Sequence, residues 1–178
     1  LHKSFSPDVE DKDMSAGAST SYNSRNWNFR AGAVFVGENY RSDLGFIRRT
    51  DVFKISPRIE RVFWPKQGKI QKHSFSVMPF YLWRPGQDWE NSDYTIISSW
   101  NADFQNTSRF QLEMFNRFTR LYAEFDPTGS GDGAPLPAGD YYYTSYEANY
   151  NSDQRKQFSF NIGPSIGKFY NGEKYSLQ

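Results

Sequence analysis

Polar and apolar residues alternate strictly from Gln157 to Ile166. Even positions carry apolar side chains, and odd positions carry polar side chains or glycine. Because successive side chains of a strand point to opposite faces, this pattern predicts a strand with one apolar and one polar face. Its length matches the roughly nine to eleven residues that a tilted strand needs to cross a bilayer. Comparable segments are predicted at 27–37, 52–64, 73–83, 94–104, 109–125 and 141–150.

The repeated unit predicts an all-β protein built as an antiparallel up-and-down meander, without a convincing helix. Residues 1–26 are polar and lack periodicity, so we expect an entry loop or linker there, followed by a β segment over 27–178. The predicted connections alternate in length, which is typical of outer-membrane barrels. The long ones are 38–50, 84–93 and 126–140, and the short ones are 65–70, 105–108 and 151–155. We therefore expect the sheet to be part of a transmembrane β-barrel.

Composition narrows the function classes. Aromatic residues reach 19% of the 178 residues, cysteine is absent and the net charge is +1. The lack of cysteine excludes disulfides and thiolate chemistry, and the balanced charge gives no reason to expect a nucleic-acid partner. The sequence contains no run of about 18 apolar residues, so it predicts no transmembrane helix. Aromatic residues at the predicted strand ends suit the interfacial girdles of a barrel. They include Trp27, Trp64, Tyr81, Trp83, Tyr94, Tyr141, Tyr142, Tyr143, Phe169 and Tyr170.

The two ends of the chain suggest a larger parent protein. The chain starts at Leu1 without an initiator methionine or an apolar leader, and it stops at Gln178 inside a new predicted strand. An unpaired strand leaves an open sheet edge. We therefore expect the remainder of the barrel to lie outside these residues.

A family resemblance rests on residues 26–51 together with 61–65. An Asn- and Asp-rich stretch leads to Gly45-Phe46-Ile47-Arg48-Arg49, and the next predicted strand ends in Phe63-Trp64-Pro65. This pattern resembles the C-terminal barrel of a Gram-negative family of unknown function whose N-terminal domain is similar to family-9 carbohydrate-binding modules. The resemblance implies an outer-membrane location and a larger parent protein, but no established reaction. It does not extend to the carbohydrate-binding-like domain, so that activity is not implied for these residues.

Arg48 and Arg49 form the sharpest polar feature of the sequence. A guanidinium pair suits a carboxylate or phosphate, so one interpretation is a contact to an anion or sugar acid at the mouth of a pore. The other is pairing with the neighbouring acids Asp43 and Asp51, which would pin the loop. We favour pairing because a charge inside a partly buried polar lumen must be matched.

Trp83 and Trp89 are the candidates for stacking on a sugar, with Trp100 as a third. As girdle or core residues, however, they need no ligand. Only His2 and His73 are available as histidine ligands, and the loop acids lack the spacing of a calcium loop, so we expect no metal or other cofactor. Glu113 and Glu124 are the nearest approach to a glycosidase carboxylate pair, but nothing in the sequence brings them together.

We therefore expect a non-enzymatic segment of an outer-membrane β-barrel that forms a pore or scaffold. Its partners would be the lipid bilayer and the remainder of its own barrel, with a carbohydrate as a further candidate. The alternative is a soluble β-sandwich that binds carbohydrate, which the mean hydropathy of -0.80 and the loop tryptophans favour. A glycosidase is a third, weaker interpretation.

Overall fold

A computed structural model describes residues 2–3, 14–41, 49–127, 129 and 135–178. They form one antiparallel sheet of twelve strands and one 3-10 helix, Pro85–Gln87. No helix among these residues is long and apolar enough to cross a membrane. The strands are β1 (His2–Lys3), β2 (Met14–Asn23), β3 (Trp27–Val36), β4 (Val52–Ile55), β5 (Arg58–Phe63), β6 (Ile70–Arg84), β7 (Glu90–Phe104), β8 (Arg109–Leu121), β9 (Gly139–Asn151), β10 (Asn161–Ile162), β11 (Pro164–Phe169) and β12 (Gly172–Leu177).

The sheet follows the chain in order, which confirms the predicted all-β antiparallel meander. Each strand pairs with its neighbour in sequence, except that β4 and β5 share the place between β3 and β6, and β10 and β11 both pair with β9. The longest pairings join β6 to β7, β7 to β8 and β8 to β9. These hairpins form the centre of the sheet.

The prediction of a loop or linker over 1–26 is wrong for residues 14–23, which form β2. Nine consecutive residue pairs, from Ser15–Val36 to Asn23–Asn28, hold β2 against β3. Its residues do alternate, but the apolar positions Ala16 and Ala18 are too small to give a strong pattern. The backbone ladder with β3 therefore stabilises this strand more than apolar burial does.

Two predicted strands are interrupted, each near a proline. The 52–64 segment divides into β4 and β5 around Ser56 and Pro57. Of the 157–166 segment, residues 157–160 are not in a strand, and the rest divides into β10 and β11 at Gly163. Proline lacks an N–H donor, so it breaks a ladder or starts a strand. Pro164 is accordingly the first residue of β11, whereas Pro79 remains inside β6 opposite Ile96.

The two ends of the sheet differ, although less than the sequence predicts. We call the end that carries 37–51, 85–89 and 122–138 the loop end, and the opposite end, with 64–69 and 105–108, the turn end. Long strands β6 and β7 shorten the predicted 84–93 loop. At the loop end β11 and β12 are joined by residues 170–171 alone, and at the turn end the connection 152–160 is longer than predicted. The predicted alternation of loop lengths is therefore only partly present.

One face of the sheet, here called the apolar face, presents large apolar side chains to the exterior. Its middle row consists of registered neighbours that point the same way: Ile59, Val77, Ser98, Met114, Tyr146, Ile166 and Tyr175. The large apolar or aromatic side chains that are exposed on this face include Tyr22, Trp27, Phe29, Ile59, Phe63, Phe75, Val77, Leu112, Tyr142, Tyr146, Ile162, Ile166, Tyr175 and Leu177.

The opposite face, here called the polar face, has two halves. Towards the turn end it carries a registered row of polar residues: Glu60, Ser76, Ser99, Glu113, Glu147, Ser165 and Ser176. Towards the loop end the same face is mixed: Val52, Leu82 and Tyr143 are buried there, but Lys54 lies opposite Leu82 and Arg117 lies opposite Tyr143. The prediction that each strand has one apolar and one polar face is therefore confirmed for the turn-end half of the sheet.

The sheet encloses no conventional core. No large side chain among the described residues is below 2% exposed. The chain exposes 12584 Å², whereas a compact monomer of 20.8 kDa exposes about 8,900 Å². A surface about 40% larger than that of a compact monomer, with large apolar side chains on it, indicates a sheet whose apolar face needs a non-aqueous neighbour or a second layer.

Candidate functional site

A charged cleft of about 450 Å³ lies at the loop end. Strand ends that are distant in sequence meet here because the meander returns to this end after every second strand. The lining contains three arginines together with acidic and hydroxyl side chains: Arg49, Thr50, Val52, Leu82, Arg84, Ser92, Asp93, Arg120 and Tyr122. Of the candidate ligand residues that the sequence predicts, Arg49 lines this cleft.

Asp51 pins the 85–89 connection to the start of β4. Its carboxylate accepts a hydrogen bond from the Gly86 N–H at 2.6 Å and lies 3.6 Å from the Arg84 guanidinium. Asp51 is 7% exposed and adopts a φ of 54°, a left-handed conformation that Asp and Asn tolerate better than most residues. A buried carboxylate with these two partners is a structural clamp.

Arg49 forms an ion pair with Asp93, with 2.9 Å between the guanidinium and the carboxylate. Sequence reasoning anticipated Asp43 or Asp51 as its partner, but Asp51 bonds to Gly86 and Arg84 instead. Asp43 and Arg48 lie outside the described residues. The Arg49 side chain is 63% exposed, so water screens the ion pair.

Arg120 connects β8, β9 and β7 at the rim of the cleft. Its guanidinium donates to both oxygens of Asp140, at 2.6 and 2.8 Å, and also contacts Glu90. Tyr122 donates its hydroxyl to Glu90 at 3.1 Å. Partial burial and this hydrogen bond raise the pKa of the Tyr122 hydroxyl. The sequence analysis missed Arg84 and Arg120, since only the strand register brings them to their acidic partners.

The arginines of the cleft are already neutralised by carboxylates. Each arginine has a carboxylate partner: Arg49 has Asp93, Arg84 has Asp51, and Arg120 has Asp140 and Glu90. An incoming anion would therefore have to displace a carboxylate that is already in place. The arrangement suits the tying together of strand ends better than the binding of an anionic ligand.

Trp83 and Trp89 belong to a continuous aromatic belt on the apolar face near the loop end. Neighbouring ring centroids in this belt are 4.8–5.9 Å apart, in offset, tilted or edge-on contacts. The loop-end belt consists of Trp89, Phe53, Trp83, Tyr81, Tyr94, Phe118 and Tyr142. Trp89 is 56% exposed at its border.

A second belt crosses the same face near the turn end. Its ring contacts span 5.0–6.4 Å and link Phe63, His73, Phe75, Trp100 and Phe110. Trp100, the third candidate for sugar stacking, lies in this belt. His73 stacks on Phe63, and no group of three acidic or histidine side chains suited to a metal occurs among the described residues.

The two belts are separated by a fixed length of strand. On β6, His73 and Trp83 are ten residues apart and point to the same face. At about 3.4 Å per residue this stretch is about 34 Å long, and a strand tilted by about 40°, as in a barrel, would span about 26 Å along the barrel axis. The apolar band of outer-membrane barrels is about 25 Å tall and is flanked by aromatic girdles.

The polar face carries a hydrogen-bond network in its turn-end half. Glu60 accepts from Asn28 at 3.1 Å and from Ser74 at 2.7 Å, and Glu113 accepts from Ser99 at 2.9 Å. A ladder of three amides, Asn149, Asn151 and Asn161, continues it across β9 and β10. Glu113 has Glu147 directly opposite on β9. Glu124 follows the end of β8 at the loop end, whereas Glu113 and Glu147 lie in the turn-end half of the sheet.

Comparisons with protein-family models, with curated proteins and with solved structures find no match to this chain.

Proposed function

We propose that this chain forms the strands of an outer-membrane β-barrel that acts as a pore or scaffold. The observation that carries the proposal is the apolar face, on which exposed aliphatic and aromatic side chains fill a band between two aromatic belts. In water such a surface is unfavourable at about 25 cal/mol per Å². In a bilayer the same side chains contact acyl chains, and the rings lie at headgroup depth.

The polar face fits the interior of such a barrel. Carboxylates, amides and hydroxyls that hydrogen-bond one another suit a water-containing lumen at the turn end. The buried side chains around Leu82 and Tyr143 suit a filled interior at the loop end. The network around Glu60 and Glu113 would then line the lumen.

Barrel closure requires partners for the two edges of the sheet. Within the described residues, β12 pairs on one side only, with β11, and the outer edge of β2 pairs only with β1. In our proposal these edges pair with each other or with further strands of the parent protein, which removes the unpaired backbone groups from the membrane. The family resemblance of residues 26–51 and 61–65 supports the outer membrane as the location.

Detergent dependence tests the proposal directly. The purified chain should remain folded and monodisperse in detergent micelles or lipid vesicles, and its migration on gels should change on heating as the barrel unfolds. In plain buffer it should aggregate. A chain that is folded and monomeric in plain buffer would contradict the proposal and favour a soluble sheet whose apolar face is covered by a second layer.

A further inference from the structure

A polar row interrupts the apolar face on β8, β9, β11 and β12. Asn116 lies opposite Thr144, and Lys168 lies opposite Glu173. Gly167 of β11 lies opposite Ser145 of β9 in an antiparallel pair. The next residue, Lys168, is therefore level with Thr144, and the row runs from Asn116 through Thr144 and Lys168 to Glu173. The row lies between the loop-end belt and the middle row of the apolar face. On β6 and β7 the same level is occupied by Pro79 and Ile96, so the polarity is confined to one side of the sheet.

The side chains at the two ends of this row differ in their hydrogen-bond and ion-pair partners. Asn116 accepts a hydrogen bond from the Thr144 hydroxyl at 2.9 Å. Glu173 accepts from the Tyr175 hydroxyl at 2.8 Å, and no ion pair of Lys168 or Glu173 occurs among the described residues. One charge of each sign is thus left without an ion pair on the apolar face. Facing acyl chains, both charges would be unfavourable.

We propose that this row is the contact surface for a second copy of the chain. The inference rests on the proposed membrane location, because a symmetric membrane dimer must have its two-fold axis along the membrane normal. Rotation about such an axis places each residue of the second copy at the same membrane depth as in the first. Lys168 and Glu173 are registered at the same depth, so Lys168 of one copy meets Glu173 of the other, and the reverse contact forms by symmetry.

The surroundings of the row suit such a contact. A groove of about 540 Å³ is lined by the row itself and by Tyr142, Tyr146 and Tyr175, residues that are 64%, 47% and 67% exposed. Tyrosine is enriched at protein interfaces because it offers a large rigid surface and a hydroxyl. A ring of the second copy would fill the groove while the charges pair beside it.

Charge reversal tests the contact. The mass of the complex should be measured in lipid nanodiscs or mild detergent for the unaltered chain and for Lys168→Glu, Glu173→Lys and the double variant. We expect a dimer for the unaltered chain, at least a tenfold weaker association for each single variant, and a restored dimer for the double variant. A monomeric unaltered chain, or a double variant as weak as the single ones, overturns the proposal.

The same reversals also place like charges opposite each other within one hairpin, so a second measurement is needed. Because the chain has no cysteine, single cysteines can be introduced for cross-linking in membranes. With a short bifunctional maleimide, Tyr175→Cys should yield a cross-linked dimer. Ile59→Cys, an exposed control in the same middle row but on β5, far from β12 in either direction around the sheet, should not. Equal cross-linking at both positions overturns the proposal.

Membrane insertion is scored separately from association. A chain that inserts into vesicles but remains monomeric contradicts only the dimer. A chain that is folded and monomeric in plain buffer contradicts the proposed function, and with it the membrane axis on which the dimer rests.

Discussion

Gly167 of β11 lies directly opposite Ser145 of β9, with no room for a side chain between them. A Cβ added at Gly167 would come within 2.6 Å of both the Ser145 side chain and the Thr144 carbonyl oxygen. The pairing of β11 with β9 therefore depends on a glycine at this position.

Gly167→Ala should lower the free energy of unfolding by about 1–3 kcal/mol, because the added methyl group must push the two strands apart. Gly172→Ala is the matched control, since its nearest neighbour would be 3.7 Å away. Urea titration in lipid vesicles measures both. Equal effects of the two substitutions would show that the close approach is unimportant.

Leu112 and Gln111 are consecutive residues of β8 on opposite faces, and they test which face meets lipid. Leu112, 42% exposed, lies opposite Trp100 in the inner row of the turn-end belt, next to the middle row of the apolar face. Leu112→Arg should reduce the free energy of unfolding in vesicles by about 1–2 kcal/mol, because the charge enters the border of the acyl region. Gln111→Arg on the polar face should change it little. If Gln111→Arg were the more destabilising substitution, the polar face would be the one that meets lipid.

Asp51→Ala should release the 85–89 connection, because Gly86 and Arg84 both lose their acceptor. The expected cost is about 1–3 kcal/mol, together with faster protease cleavage near Gly86. Asp88→Ala provides a matched control. Asp88 also has a positive φ, of 50°, but it is exposed, so backbone strain is common to both variants while the clamp is lost in one. Similar cleavage rates for the two variants would argue against the clamp.

Asp153 makes one pair of turns sensitive to acid. Its carboxylate accepts from the Arg155 side chain and backbone and from the Thr107 hydroxyl at 2.8 Å, which ties the β7–β8 turn to the β9–β10 connection. These bonds, chiefly those from Arg155, hold the pKa of Asp153 well below its usual range.

A carboxylate with a lowered pKa in the folded state stabilises the fold above its unfolded pKa of about 4, and this contribution is lost as the pH falls further. We therefore expect protease cleavage within 152–160 to accelerate below about pH 4. Asp153→Asn should cleave faster at neutral pH and should respond less to acid. An identical acid response in the variant would assign the effect to another group.

Much of the architecture follows from the sequence alone. The period of two in segments such as Phe75, Val77, Pro79 and Tyr81 assigns each side chain to a face, because alternation is a property of any extended strand. The aromatic positions near strand ends likewise predict part of the loop-end belt, namely Tyr81, Trp83, Tyr94 and Tyr142, but none of the turn-end belt. The sequence does not indicate β2 as clearly, since its apolar positions are mostly alanine and threonine and its stability comes from its ladder with β3.

The pairing of charges was decided by the tertiary structure. Nothing local links Arg49 to Asp93, or Arg120 to Asp140 and Glu90, because these residues meet only after the strand register is set. The same holds for the close approach at Gly167. The face on which a side chain lies depends on its own strand. Its cross-strand partners depend on the register of the neighbouring strands, and a shift of one residue would change every partner.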